Sequence, residues 1–242
     1  SYIIARSRGD TRLIAAPVFP RRLFSQSCMF VNAHAAISVP SELQRKKVAI
    51  NSLQTTLTVL AKGDLQAEYG VNLDEIEWFV QREEELPLNS AIGATVRAVP
   101  KGKRVDQMLI AGELDAYIHP SPPPALYQST HVRRLFEDSR GESVRYFKKH
   151  GYCPIMHLMV FASATVKREP WLPVASMEMW NEAKDMARAY YDDPGYALPL
   201  FAREALEDEH AALGIDPWTS GLAANEGNLQ RFMDFMVAQK LI

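Results

Sequence analysis

Apolar positions along this chain alternate between short unbroken runs and stripes of helical spacing. Lys47-Val48-Ala49-Ile50 reads as a short strand, followed by a polar turn over Asn51–Thr56. Leu57, Leu60, Ala61 and Leu65 then recur at helical spacing. Upstream, Tyr2–Ala5 reads as the end of an apolar-faced helix stopped at Gly9, and Arg12–Val18 as a buried strand limited by Pro17 and Pro20. Phe19–Ser27 reads as a loop leading into a second apolar run, Cys28–Val31, and Ser38–Leu43 as a short turn of helix. Ile76–Val80 is rich in aromatic and β-branched residues and predicts a strand, with the acidic Gln81–Pro87 as a loop behind it. Lys103–Glu113 predicts a helix with Val105, Met108, Leu109 and Ile110 buried, and Leu114–Pro120 a strand leaving through prolines. This alternation predicts an α/β fold with right-handed crossovers. From Ala125 the pattern turns helical, broken by an apolar strand over Tyr152–Phe161. Helices follow over Val174–Asp192, Phe201–Leu213 and Leu229–Leu241. In the first of these Met177, Trp180, Met186 and Tyr190 form a stripe expected to be core.

In such sheets ligands lie beyond the carboxyl ends of the strands. The turn after Ile50 and the exit after Ile118 meet that condition. A turn entering a helix leaves backbone N–H groups unpaired, which suits an anion. Ser52, Thr55 and Thr56 add hydroxyls there, and Gln54 an amide. The alternative is that Ser52 or Thr55 only caps its own helix. His119, at the second exit, is a candidate site histidine or else a hinge residue before Pro120. Arg21 and Arg22 offer a guanidinium fork for a carboxylate, or else a solvated surface pair. His157 lies inside an apolar run, where a histidine is usually a satisfied core group. Glu83, Glu84 and Glu85 are expected to be solvated rather than metal-bound, having no histidine at ligand spacing.

The chain has 242 residues, 47% hydrophobic and 23% charged, ordinary for a globular protein large enough for a core. A net charge of -2 without a basic tract excludes a nucleic-acid-coating surface. No stretch reaches the roughly 18 apolar residues of a membrane span. Cys28 and Cys153 stand far apart without a CxxC pair, so neither a disulfide scaffold nor a zinc site is expected, and a reducing compartment is the simpler reading. Without GxGxxG, GxxxxGK[ST], HExxH or GxSxG, nucleotide-dependent chemistry and serine hydrolysis have no support.

The passages Ser1–Val31, Glu68–Val80 (EYGVNLDEIEWFV), Met108–Pro120, Gly151–Val160 and Gly214–Ile242, with its DPW, GL and final LI, occur in the order in which the 4,5-dihydroxyphthalate decarboxylase family carries similar segments. The chain resembles that family over essentially its whole length. The resemblance implies a type 2 periplasmic-binding-protein-like α/β fold, two lobes around a cleft. Lobe I would take residues 1–32 and 121–242 with the C-terminal helices, and lobe II residues 33–120. Because members begin with a further strand and helices, lobe I is expected to be incomplete at its N-terminus, with residues preceding Ser1. A cytoplasmic, carbon dioxide-releasing lyase of aromatic-acid catabolism is implied, without an organic cofactor; no metal ligand is named, and the need for a metal is left open. Its expected partner is a small aromatic acid, with homo-oligomerisation left open and neither nucleic acid nor membrane involved. Phe19-Pro20-Arg21-Arg22 and Pro154–His157 match the family pattern and bring Arg21 and His157 forward. On this reading His157 or His119 donates a proton, Arg21 with Arg22 grips one carboxylate, and Ser52, Gln54, Thr55 and Thr56 hold the other. The rival reading is a solute-binding or sensor protein of the same fold that leaves its acid unchanged.

Overall fold

Val48, Ala49 and Ile50 are fully buried because their strand lies inside a sheet with neighbours on both sides. The computed structural model describes residues 2–88, 95–193 and 199–242. Contacts divide the chain into a first unit (Ser1–Gly9, Leu23–Ser143 and Gln230–Ile242) and a second (Asp10–Arg22 and Val144–Leu229).

The second unit is built on β1 (Leu13–Arg22), antiparallel to a later strand described below. The first unit carries β2 (Met29–Asn32), β3 (Lys47–Ile50), β4 (Glu77–Val80), β5 (Thr95–Ala98), β6 (Ala116–Ile118) and β7 (Val132–Arg134). These make one six-stranded sheet in the order β5-β4-β3-β6-β2-β7. Pairings among β3, β4, β5 and β6 are parallel, whereas β2 runs antiparallel to β6 and β7. The expected division, 1–32 with 121–242 against 33–120, is therefore not the one observed. Met29–Asn32 and Val132–Arg134 hydrogen-bond into the sheet that holds β3 and β6, so they belong to that body.

Helix α2 (Thr56–Tyr69) follows β3 and ends at Gly70, whose φ of 65° is the left-handed cap that glycine adopts freely. Its buried side is wider than the leucine stripe predicts: every residue from Leu57 to Leu65 is buried, Lys62 and Asp64 included. Asp64 accepts the Ser25 hydroxyl at 2.6 Å. Gly63 gives close approach to Phe235 of the C-terminal helix (Glu226–Ala238), whose ring occupies the place a Cβ would need. On another part of the sheet, Phe30, Ala49, Leu114 and Tyr117 pack with Val105, Met108 and Leu109 of the helix Val105–Ile110.

In the second unit, β8 (Ile155–Ala162) pairs with β1. The strand runs on to Arg22, past Pro17 and Pro20, where a loop is expected. Both strands of a two-stranded sheet are edges, so the missing proline N–H groups interrupt no second ladder. The register shift between Ala16 and Arg21 absorbs the irregularity. The helix Leu172–Ala189 departs from expectation, since Met186 and Tyr190 are 65% and 66% exposed and none of its described residues is buried. It packs on β1, and Lys184 and Asn181 tie it to the 216–220 segment through Asp216, the Trp218 carbonyl and the Ser220 hydroxyl. Cys28 and Cys153 are buried thiols that form no disulfide with each other. Among the described residues no helix is long and apolar enough to cross a membrane.

Candidate active site

The turn from β3 into α2 is built as an anion receptor, and the chain fills it itself. Glu84 accepts the backbone N–H of Leu53 at 2.5 Å and that of Gln54 at 3.0 Å. A carboxylate at the positive end of a helix makes charge-assisted bonds there. Glu84 is half-buried on these amides, whereas Glu83 and Glu85 are exposed. Among the described residues no group of three or more histidine, cysteine, aspartate or glutamate side chains could hold a metal ion. Gln54 grips the same loop: its side-chain nitrogen donates to the Leu86 carbonyl at 2.7 Å, and its oxygen accepts the Leu86 amide at 3.3 Å. Thr55 gives its hydroxyl hydrogen bonds locally, to the Ser52 carbonyl at 3.0 Å and with the Thr58 hydroxyl at 2.8 Å. It makes no side-chain cap bond to the helix, so the simple capping reading does not hold for it. Ser52 is buried and Thr56 half-buried.

The exit of β6 brings together groups that composition did not single out. Tyr117 is buried in β6, and its phenol oxygen accepts the Gln81 side-chain amide at 2.9 Å. Burial pushes its pKa up to about 12, so the phenol stays protonated near neutrality. Its ring lies 5.1 Å from that of His119, centroid to centroid. The Ser121 amide donates to His119 Nδ1 at 3.1 Å, which keeps that nitrogen unprotonated and leaves the neutral ring's hydrogen on Nε2. Tyr117 and Gln81 also line a cavity of about 380 Å³ with Lys101, Lys103, Arg104 and Asp106. An aromatic residue within an apolar strand carries no sequence signal for such a place; only the strand-end rule pointed there.

In the second unit Arg21 and His157 stand opposite each other in the β1–β8 register. His157 faces outward and is exposed, not a satisfied core histidine. Partial burial and the nearby Arg21 charge lower its pKa below the ordinary imidazole value. Arg22, the next residue, is 6% exposed and turned inward. It donates to the Cys153 carbonyl at 2.8 Å, the Thr219 carbonyl at 2.9 Å and the Asn225 side-chain oxygen at 2.6 Å, with its guanidinium 5.5 Å from the Phe19 ring centre. Burial draws its pKa below the ordinary arginine value. The expected Arg21–Arg22 fork is therefore not formed: Arg22 is turned onto the chain's own acceptors, and the β1–β8 register is irregular between the two residues.

No family model matches the chain. It is 29% identical over 243 residues to the 4,5-dihydroxyphthalate decarboxylase of Comamonas testosteroni, covering 96% of this chain and 73% of that protein. The similarity to these decarboxylases is shown. The Pseudomonas putida protein of the same name is 26% identical over 159 residues, covering 63% of this chain and 62% of its own length. Among solved structures, the periplasmic aliphatic sulphonate binding protein of Escherichia coli aligns with 100% of this chain and 68% of its own at a TM-score of 0.55 and 13% identity. The alkanesulfonate-binding protein of Xanthomonas axonopodis pv. citri aligns with 99% of this chain and 73% of its own at a TM-score of 0.52 and 15% identity. These likenesses show a periplasmic-binding-protein-like fold.

Proposed function

We propose that this chain decarboxylates a hydroxylated aromatic acid such as 4,5-dihydroxyphthalate, giving 3,4-dihydroxybenzoate and CO2 without a cofactor. The observation that carries this reading is the similarity to an enzyme of that name across 96% of the chain. We place the activity in the cytoplasm and in aromatic-compound catabolism.

In 4,5-dihydroxyphthalate each hydroxyl lies para to a carboxylate and enriches the ring carbon bearing it. A protonated side chain delivers H⁺ to that carbon. The bond to the carboxylate then breaks, its electron pair returns to the ring and CO2 leaves. This requires an acid poised near neutrality. His157 is the first choice, because its ring makes no hydrogen bond among the described residues, and Arg21 beside it is suited to a substrate carboxylate. His119 is the other choice, but protonating its Nδ1 would cost the Ser121 amide bond. In the first unit the hydroxyls of Ser52 and Thr56 are the groups proposed for the acid; Gln54 and Thr55, and Arg22 of the second unit, already serve the chain's own carbonyls.

Incubating the purified protein with 4,5-dihydroxyphthalate tests the reading. CO2 and 3,4-dihydroxybenzoate in equal amounts support it. Binding of the acid with full recovery of unchanged material would replace it with the solute-binding reading.

A further inference from the structure

Beyond the carboxyl ends of β4, β5 and β6 the chain builds a cavity of about 380 Å³ that is cationic at its rim and offers a hydroxyl at its wall. Its rim follows from a turn: the Lys103 amide donates to the Pro100 carbonyl at 3.0 Å, and Gly102, at φ 84°, takes the left-handed position that such a turn demands. That turn sets Lys101, Lys103 and Arg104 along one edge of the cavity. Two of these cations are balanced. Lys103 pairs with Glu113, and Arg104 donates to Asp106 at 3.1 and 2.5 Å. Lys101 is exposed and has no partner among the described residues, so the rim holds an unmatched positive charge.

The wall carries an unused donor. Tyr117 is 3% exposed, and its oxygen accepts from Gln81. A phenol has one hydrogen to give. No described group accepts that hydrogen, although buried polar groups are almost always paired. The phenol is neutral near pH 7, so the hydrogen is present. A carboxylate oxygen is the acceptor that would use both the hydrogen and the unmatched charge. The volume falls in the range of small-molecule sites, roughly 300–1,000 Å³.

We propose that this cavity binds a carboxylate of the aromatic acid, with the Tyr117 hydroxyl donating to it and Lys101 supplying the counter-charge. The proposal rests on the decarboxylase reading for the identity of the acid, and gives one of its two carboxylates to this cavity in place of the Ser52–Thr56 turn. It makes Tyr117 and Lys101 binding residues of the first unit, with Gln81 orienting the phenol.

Steady-state turnover of 4,5-dihydroxyphthalate, together with calorimetric titration of the same acid, tests this in the full chain. For Tyr117→Phe the expected result is a KM and Kd raised about tenfold with kcat changed far less, matching one lost hydrogen bond to a charged group. For Lys101→Gln the expected rise is about threefold, and it weakens further as salt is added to the wild type. Lys101 is exposed, so its variant remains informative should Tyr117→Phe fail to fold. Wild-type turnover with both variants unchanged would overturn the cavity and leave the decarboxylase standing. A wild type that neither binds nor converts the acid would overturn both.

Discussion

The carboxylate of Glu84 accepts the backbone N–H of Gln54 at 3.0 Å, and the Gln54 side chain in turn holds the Leu86 backbone of the same loop. The acidic loop is thereby tied down at the strand–helix turn by reciprocal bonds. Glu84→Gln keeps the shape but removes the charge. Its unfolding free energy is expected to fall by about 1–2 kcal/mol, the usual worth of bonds to an ionised group. Urea denaturation measures this, and an unchanged midpoint would show that the bonds add nothing in water.

Arg22→Lys is expected to destabilise the second unit by about 2–3 kcal/mol, because a single ammonium cannot serve acceptors spread over Cys153, Thr219 and Asn225. Arg21→Lys should instead leave the denaturation midpoint in place and raise KM. Equal loss of stability in both variants would refute the division between an inward and an outward arginine.

Lys62 is 6% exposed, with its ammonium 5.3 Å from the centre of the Trp78 ring. Burial lowers its pKa from 10.5 to about 8. Between those values the unfolded chain holds more protons than the folded one, so stability from this group rises as pH rises through about 8 to 10.5. Lys62→Met should abolish that rise and be more stable at pH 7 by up to about 3 kcal/mol. Parallel denaturation curves at pH 7 and pH 10 check it; equal pH dependence in both proteins would contradict it.

Partial burial and the neighbouring Arg21 charge hold the His157 pKa below the ordinary imidazole value. As the acid in the reaction, it predicts a kcat/KM that falls as pH rises, with its inflection below the ordinary imidazole value. Removing the neighbouring charge in Arg21→Gln should move the His157 titration upward. An NMR titration of the imidazole reads this directly, and a downward or absent shift would show that Arg21 does not act on it.

How far the sequence anticipated this arrangement depends on what kind of signal each feature has. The β3–turn–α2 passage was readable because local spacing encodes a strand, a turn and a helix. The family resemblance carried the fold class. The role of Glu84 was not legible in the acidic run because its partners are backbone amides some thirty positions away, a distance that no local pattern encodes. Arg22 differs from Arg21 because its acceptors, Cys153, Thr219 and Asn225, lie more than a hundred positions away, where no local pattern points. Met186 and Tyr190 were misplaced because an apolar stripe shows which residues share a helix face, and not what covers it. Tyr117 carries no local signal inside the run Leu114–Pro120; its unused hydroxyl becomes apparent only with Gln81 beside it.

Proton delivery to a ring carbon, followed by loss of CO2, leaves its mark on the product. Turnover of 4,5-dihydroxyphthalate in D2O, with NMR of the product, tests it most directly. The account predicts 3,4-dihydroxybenzoate carrying one deuterium at the carbon that lost its carboxylate. Recovery of the dicarboxylic acid unchanged, from folded protein that binds it, would contradict the account.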